Sequence, residues 1–153
     1  MSLGLPALVE RLTWKTFVKV FHRDPGGSLR GWNVRLVQRG LDGPLEPRLR
    51  RGVPVAFGHY RVVTGEAVPG APPGALLLDY GLGGNAPWDP VSRLRDPLVS
   101  LGPGAPLLGT SLVAVGARLV RTPSYFLLED RGRLELPIVS PPRSPRPGRG
   151  VGL

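Results

Sequence analysis

Cysteine is absent from this sequence of 153 residues. The absence excludes disulfide bonds, thiol catalysis and any metal site built on cysteine, and it is compatible with a reducing compartment. Long apolar runs are missing too, because no segment approaches the roughly 20 apolar residues that a membrane-spanning helix requires. The N-terminus has no basic run followed by an apolar core, so we expect a cytoplasmic protein without a secretory signal or membrane insertion.

Motifs that identify a reaction are equally scarce. The sequence contains no HExxH, P-loop or EF-hand pattern, and the segment around Ser111 lacks the second glycine of a nucleophile elbow. Its two histidines, His22 and His59, lie far apart in sequence and make a weak zinc signal. We therefore predict no metal site, and no pattern identifies a cofactor.

Lysine is rare, whereas arginine is abundant. Only Lys15 and Lys19 are lysines among the 20 basic residues, and the formal net charge is +9. Such a charge favours loose attraction to polyanions without defining a binding site. Basic and aromatic residues interleave only at residues 57–61, so we expect any nucleic-acid binding to be weak and non-specific.

Turn-forming residues are plentiful, with 22 glycines and 19 prolines. Most of them lie between short apolar runs, which is typical of an all-β domain with many turns. We predict one β-rich domain over residues 1–139. Residues 140–153 consist mainly of proline, arginine, glycine and serine, so they are predicted to form a disordered tail.

Hydrophobic periodicity predicts the individual elements. Helical spacing of apolar residues predicts a short helix over residues 5–12, and alternation predicts a strand over 14–22 that pairs with a second strand over 31–40. Residues 41–52 are predicted to be a loop, and residues 81–106 irregular with a helical turn at 91–96. Further strands are predicted over 53–67, 75–80, 107–115, 118–121, 124–130 and, at an edge, 134–139. About eight antiparallel strands after a short N-terminal helix indicate an antiparallel β-barrel or a half-closed sheet.

Alternation on the first hairpin also predicts which side chains face inward. The predicted inward set is Trp14, Val18, Val20, Trp32, Val34 and Leu36. The other side carries both lysines and is expected to face outward. Small residues on the later strands would oppose the large inward ones, namely Ala75, Gly109, Ser111, Ala114, Gly116 and Ala117. This combination predicts an interior cavity that accepts an apolar molecule.

A few polar and aromatic residues are candidates for contacts with such a ligand. His59 could be a ligand contact or an acid–base group, or simply a hydrogen-bonded histidine. Asp79 closes an apolar run and could pair with Arg61 or Arg95 between strands, or orient a polar group of the ligand. The complete set of predicted ligand-binding residues is Trp14, Val18, Trp32, Val34, His59, Arg61, Asp79 and Tyr125.

Residues 81–86 (GLGGNA) match the pattern G-x-G-x-x-A directly after a predicted strand. In a dinucleotide site, a helix must begin here so that its N-terminus meets the pyrophosphate. Pro87 and Pro90 disfavour that helix, so we interpret the segment as a glycine-rich loop.

The order of elements over residues 5–139 resembles the calycin group of lipocalin-like and nitrobindin-like barrels. The resemblance rests on a short helix, then a strand led by Trp14, then successive antiparallel strands. It implies a small bacterial β-barrel protein with an internal ligand site.

Three functions are compatible with these features. The first hypothesis is a non-catalytic module that binds a small, largely apolar molecule inside a β-barrel. The second is a cavity-type enzyme, such as an isomerase or cyclase, that uses His or Asp in the pocket. The third is a barrel that binds nucleic acid weakly. The sequence leaves the ligand's identity and the oligomeric state open.

Overall fold

A computed structural model describes residues 17–38, 42–133 and 137–142. Within these ranges the elements are mainly strands, with two short 3₁₀ turns at Gly65–Ala67 and Pro90–Arg93. The strands are β1 (Phe17–Arg23), β2 (Leu29–Gln38), β3 (Leu45–Pro47), β4 (Leu49–Arg50), β5 (Val53–Pro54), β6 (Ala56–Thr64), β7 (Leu76–Asp79), β8 (Leu94–Ser100), β9 (Leu107–Val115) and β10 (Arg118–Leu128). No helix in the described ranges is long and apolar enough to cross a membrane.

Eight of these strands form one antiparallel sheet in the order β1-β2-β6-β7-β8-β9-β10, with β3 paired to β2. The remaining two strands, β4 and β5, form a separate hairpin. Among the described residues β1 and β10 are the two ends of the sheet and do not pair, so the sheet is not closed into a barrel. The predicted mainly β class with about eight antiparallel strands is confirmed, and of the two predicted arrangements, a barrel or a half-closed sheet, the closed barrel is not formed by the described strands.

The start of the chain matches the prediction as far as it is described. Residues 17–22 are a strand rather than a continued helix, and Val20 lies opposite Trp32 in the β1–β2 hairpin. The predicted helix at 5–12, Trp14 and residues 143–153 of the predicted tail lie outside the described residues. The described part of the predicted edge strand, residues 137–139, is not a strand.

Two further segments were predicted incorrectly. Residues 41–52, predicted to be a loop, contain β3 and β4. The region predicted to be irregular contains β8, whose centre is Asp96 and Pro97, residues that strands disfavour. Proline has no N–H to donate, and the β8–β9 pairing accordingly passes from Arg95 opposite Leu112 directly to Leu98 opposite Gly109 without a change of register.

The sheet coils so that its two ends approach each other on one side, which we call the concave face. There the ammonium of Lys19, on β1, lies 5.0 Å from the ring centre of Phe126, on β10. The buried core of this face consists of Tyr60, Leu78, Tyr80 and Leu98. On the opposite, convex face a second core of Val68, Leu77 and Leu112 packs with Val63 and Ala71.

The prediction of which side chains on the first hairpin face inward was therefore wrong. Lys19 and its register partner Asn33 face the concave core, whereas Trp32 and Val34 face the convex side. Both sets are buried, with Trp32 only 2% exposed and Val34 fully covered. Because apolar residues occupy both faces of β1, alternation alone does not indicate which face is enclosed.

Candidate functional site

A bulge in β10 shapes one wall of a surface groove. Arg121 lies opposite Leu112 and Tyr125 opposite Thr110, so four steps along β10 match only two along β9. Thr110 Oγ1 donates to the Ser124 carbonyl at 3.0 Å, which fixes the extra residues. The insertion keeps Arg121 and Tyr125 on the convex face while it separates them.

The loop at residues 68–72 covers the convex face beside this bulge and leaves a groove of about 450 Å³, hereafter the convex groove. Its volume is within the range of small-molecule sites, about 300–1,000 Å³. The lining is mostly apolar and consists of Val68, Pro69, Gly70, Ala71, Pro72, Pro97, Val99, Leu108, Gly109, Thr110, Leu112, Ala117, Leu119, Arg121 and Tyr125. Among the described residues that line the groove, Arg121 is the only charged one. The groove can therefore cover an apolar body while a cation meets an oxygen-bearing group.

Sequence reasoning found only part of the convex groove. Of the predicted ligand-binding residues Tyr125 lines it, and Gly109 and Ala117 from the predicted small-residue wall line it as well. Arg121 was missed, because its orientation depends on the bulge. The sequence signal for that bulge is the interruption Thr122–Ser124 between two apolar runs.

A second cluster, made of polar side chains, lies in the concave core. The Lys19 ammonium donates to the Tyr80 hydroxyl at 2.6 Å, and this hydroxyl donates to Asp96 Oδ2 at 3.1 Å. Lys19 Nζ is itself 3.4 Å from Asp96 Oδ2, and Ser111 Oγ donates to Asp96 Oδ1 at 2.9 Å. We call these four residues the Lys19 cluster, and it joins β1 to β7, β8 and β9.

Aromatic rings enclose the Lys19 ammonium. The distances from Nζ to the ring centres are 5.4 Å for Phe17, 5.5 Å for Tyr60, 5.3 Å for Tyr80 and 5.0 Å for Phe126. Burial lowers the pKa of Lys19 below its ordinary value, although the Asp96 carboxylate opposes this effect. Burial also raises the pKa of Tyr80. The side chains of Lys19 and Asp96 are only 4% and 3% exposed, so this cluster is enclosed in the core and offers no open face to a substrate.

A third cluster joins the two histidines on the convex face. The Trp32 ring lies between them, 5.3 Å from the His22 ring and 6.3 Å from the His59 ring. A bulge at Gly58, where φ is +56°, directs His59 to this side of β6. His59 Nε2 lies 3.2 Å from the Val139 carbonyl oxygen. Within the described ranges, no three metal-ligating side chains come together here or elsewhere.

The environment of His59 predicts loss of stability in acid. Burial lowers the pKa of His59 and the neighbouring His22 charge acts in the same direction, while the Val139 carbonyl opposes both. The folded state therefore keeps His59 neutral at pH values where the unfolded chain is already protonated. Stability is complete above the unfolded pKa of about 6.5 and falls as pH decreases through the folded pKa.

Thermal unfolding between pH 5 and pH 7.5 measures this effect. We expect His59→Gln to flatten the decrease of melting temperature toward acid pH relative to the unmodified protein. Parallel curves for the two proteins would show that His59 titrates alike in the folded and unfolded states.

The remaining predicted site residues lie apart from the convex groove. Asp79 pairs with Arg95 at 3.1 Å, which is one of the two predicted pairings. Arg61 donates to Ser28 Oγ at 3.2 Å. Val18 lies half-buried on the convex side of β1.

The glycine-rich segment 81–86 is a loop, as predicted, and a four-residue 3₁₀ turn follows it. Asn85 in this loop accepts from the His59 N–H at 3.0 Å and donates to the carbonyls of His59 and Tyr80 at 2.6 and 2.7 Å. A side chain at Gly83 would overlap the His59 carbonyl. Close packing against β6 therefore explains why this position is occupied by glycine. The segment anchors a loop and presents no helix N-terminus to a dinucleotide.

Comparison with known proteins gives no assignment. No family model matches the chain, and neither a curated protein nor a solved structure matches it.

Proposed function

We propose that this protein is a non-catalytic binding module for a small, largely apolar molecule that carries one anionic group. The observation that supports this function is the convex groove, where Arg121 is the one charged residue in a described lining of mostly apolar residues. The sequence predicted a ligand in the interior of a barrel, whereas this proposal places the ligand on the outer side of a half-closed sheet.

Each part of the groove has a physical role in this proposal. Covering apolar ligand surface contributes about 25 cal/mol per Å² before the costs of association. The Arg121 guanidinium matches the two oxygens of a carboxylate, and the described lining contains no Asp or Glu to compete for it. Tyr125, which is 61% exposed, gives the ligand an aromatic surface at the mouth of the groove.

A calycin-like relationship and a cytoplasmic location belong to the same proposal. Apart from the excursion through β3–β5, the successive strands of the main sheet are neighbours, as in an up-and-down calycin barrel. The absence of cysteine is consistent with a cytoplasmic protein.

Decanoate and its methyl ester test the proposed ligand chemistry. We expect decanoate to displace a fluorescent apolar probe saturably. Arg121→Met is expected to weaken decanoate binding about 10- to 150-fold, because a charge-assisted hydrogen bond contributes about 1.5–3 kcal/mol. The methyl ester, which lacks the charge, is expected to bind Arg121→Met and the unmodified protein alike.

Neighbouring residues on β10 provide matched controls. Leu119→Glu places a charge in the groove and is expected to abolish binding of both compounds. Val120→Glu changes an adjacent exposed residue outside the lining, and Arg118→Met removes a charge from the same strand. If these controls lose binding equally, or if no compound binds saturably, the groove is not the site.

A further inference from the structure

A second, basic pocket of about 370 Å³ lies beside the β4–β5 hairpin, hereafter the arginine pocket. Three of the five residues that line it are arginines, and the lining consists of Arg35, Arg48, Leu49, Arg50 and Val55. It shares no lining residue with the convex groove.

Main-chain hydrogen bonds hold the walls of the arginine pocket together. The Arg35 N–H donates to the Val55 carbonyl at 3.0 Å, and the Val55 N–H donates to the Arg48 carbonyl at 2.8 Å. The Arg48 N–H donates to the Arg35 carbonyl at 2.8 Å, which completes a ring of three bonds. Residues distant in sequence are thereby fixed around one space before any ligand arrives.

The Arg35 guanidinium is also held in place. Its central carbon lies 4.8 Å from the ring centre of Phe57, and that ring packs edge-on against Phe17 at 5.9 Å. Arg35 is half-buried, whereas Arg48 and Arg50 are exposed. A stacked guanidinium loses little further freedom when it binds an anion.

These three positive charges have no carboxylate partner among the described residues. The ion pairs of that part of the chain join Lys19 to Asp96, Arg30 to Asp24, Arg95 to Asp79 and Arg131 to Glu129. Glu46, on β3, is not part of the pocket lining. Three neighbouring cations repel one another, and an anion in the pocket would relieve that repulsion.

The turn of the β4–β5 hairpin adds a separate observation. Arg51 has φ +53° and is followed by Gly52 at φ +77°, so both turn residues are left-handed. Asn or Gly usually occupies the first of these positions, because an ordinary side chain there is strained. Strain of this kind concentrates at functional sites, and here it lies directly after Arg50, although Arg51 itself does not line the pocket.

We propose that Arg35, Arg48 and Arg50 bind the diphosphate group of a small molecule. Two phosphate groups carry roughly three to four negative charges near neutral pH, which three guanidinium groups nearly balance. The nearest aromatic ring, Phe57, is already stacked by Arg35. It therefore offers no free platform for the bases of a nucleic-acid strand, and a small diphosphate fits this pocket better.

Isothermal titration of the full chain with pyrophosphate, adenosine diphosphate and a single-stranded oligonucleotide tests the proposal. We expect saturable binding of pyrophosphate with one site per chain. The double variant Arg48→Gln/Arg50→Gln is expected to weaken this binding at least tenfold. The matched control Arg93→Gln/Arg118→Gln removes the same charge from exposed residues elsewhere and is expected to change it less than twofold. Circular dichroism melts verify that both variants fold.

The relative affinities for the two small ligands distinguish free diphosphate from a nucleotide as the source of the diphosphate group. Equal affinity for the two small ligands indicates free diphosphate, and tighter binding of adenosine diphosphate indicates a nucleotide; either result supports the site if only the pocket variant loses binding. The proposal is overturned if pyrophosphate does not bind saturably, or if the control pair weakens binding as much as the pocket pair. It is also overturned if the oligonucleotide binds far more tightly than both small ligands and needs the control arginines.

Discussion

Asp96→Ala is expected to destabilise the fold by about 3–5 kcal/mol, because it leaves the buried Lys19 ammonium without its counter-charge. Asp96 is only 2% exposed and accepts hydrogen bonds from Tyr80 and Ser111 as well. The substitution therefore removes the acceptor that three buried donors share. Since small domains are stable by about 5–15 kcal/mol, a loss of this size is a large part of the total.

Urea unfolding followed by tryptophan fluorescence measures the loss. Lys19→Met in the Asp96→Ala background is expected to recover part of it, because the rings around the ammonium then pack against an apolar side chain. Asp42→Ala, at an exposed residue, is expected to stay within about 0.5 kcal/mol of the unmodified protein. A loss below about 1 kcal/mol for Asp96→Ala would mean that the ammonium is not enclosed as described.

The pH dependence of Asp96→Ala gives an independent check. Burial lowers the pKa of Lys19, and removing the carboxylate removes the charge that opposes this effect, so the folded variant releases its proton more easily. Between the lowered pKa of Lys19 in the folded variant and its ordinary pKa in the unfolded chain, the unfolded chain then binds more protons than the folded chain. Stability of the variant therefore rises with pH in this range, and its deficit relative to the unmodified protein shrinks.

Local pattern was enough to predict most strands. β1, β2, β7, β9 and β10 coincide closely with alternating or apolar runs, because such runs fit a pleated, half-buried surface. β8 was missed because Asp96 and Pro97 interrupt its pattern. Its hydrogen bonds to β7 and β9 and the burial of Asp96 against Lys19 are contacts between distant residues, which no local window contains.

The candidate sites were harder to predict for the same reason. Tyr125 was recognised as an aromatic residue in a strand, but its place beside Arg121 depends on the bulge between them. Lys19 was assigned to the outside because lysine is seldom buried. Its burial requires Asp96 and rings that come mostly from distant parts of the chain, and that compensation is visible only in three dimensions.

Asn85→Ala is expected to cost several kcal/mol, although Asn85 lies in a loop. Its amide satisfies three main-chain groups, the N–H and carbonyl of His59 and the carbonyl of Tyr80. Asn85 is 8% exposed, so water does not readily replace these bonds. Each unsatisfied buried group costs about 1–3 kcal/mol. The alanine variant leaves the N–H and carbonyl of His59 without these bonds, whereas the Tyr80 carbonyl still accepts from the Gly83 N–H at 3.2 Å.

Asn85→Asp keeps the shape of the side chain and is expected to be worse than alanine at neutral pH. Its carboxylate still accepts from the His59 N–H, but it loses both N–H donors and faces the carbonyl oxygens of His59 and Tyr80 at close range. Burial and these oxygens raise the pKa of a carboxyl group placed there. Between the unfolded and folded pKa values the folded variant binds more protons than the unfolded chain, so its stability falls as pH rises.

Urea unfolding of both variants at pH 5 and pH 8 distinguishes the effect of the carboxylate charge from the effect of losing the amide side chain. We expect the deficit of Asn85→Asp, relative to the unmodified protein, to grow from pH 5 to pH 8, because the protonated carboxyl group can still donate one bond. Asn85→Ala introduces no new titrating group, so its stability deficit is expected to change little over the same pH range. If Asn85→Asp matches the unmodified protein at pH 8, the two donated hydrogen bonds do not anchor the loop, and the close approach of Gly83 to β6 must hold it alone.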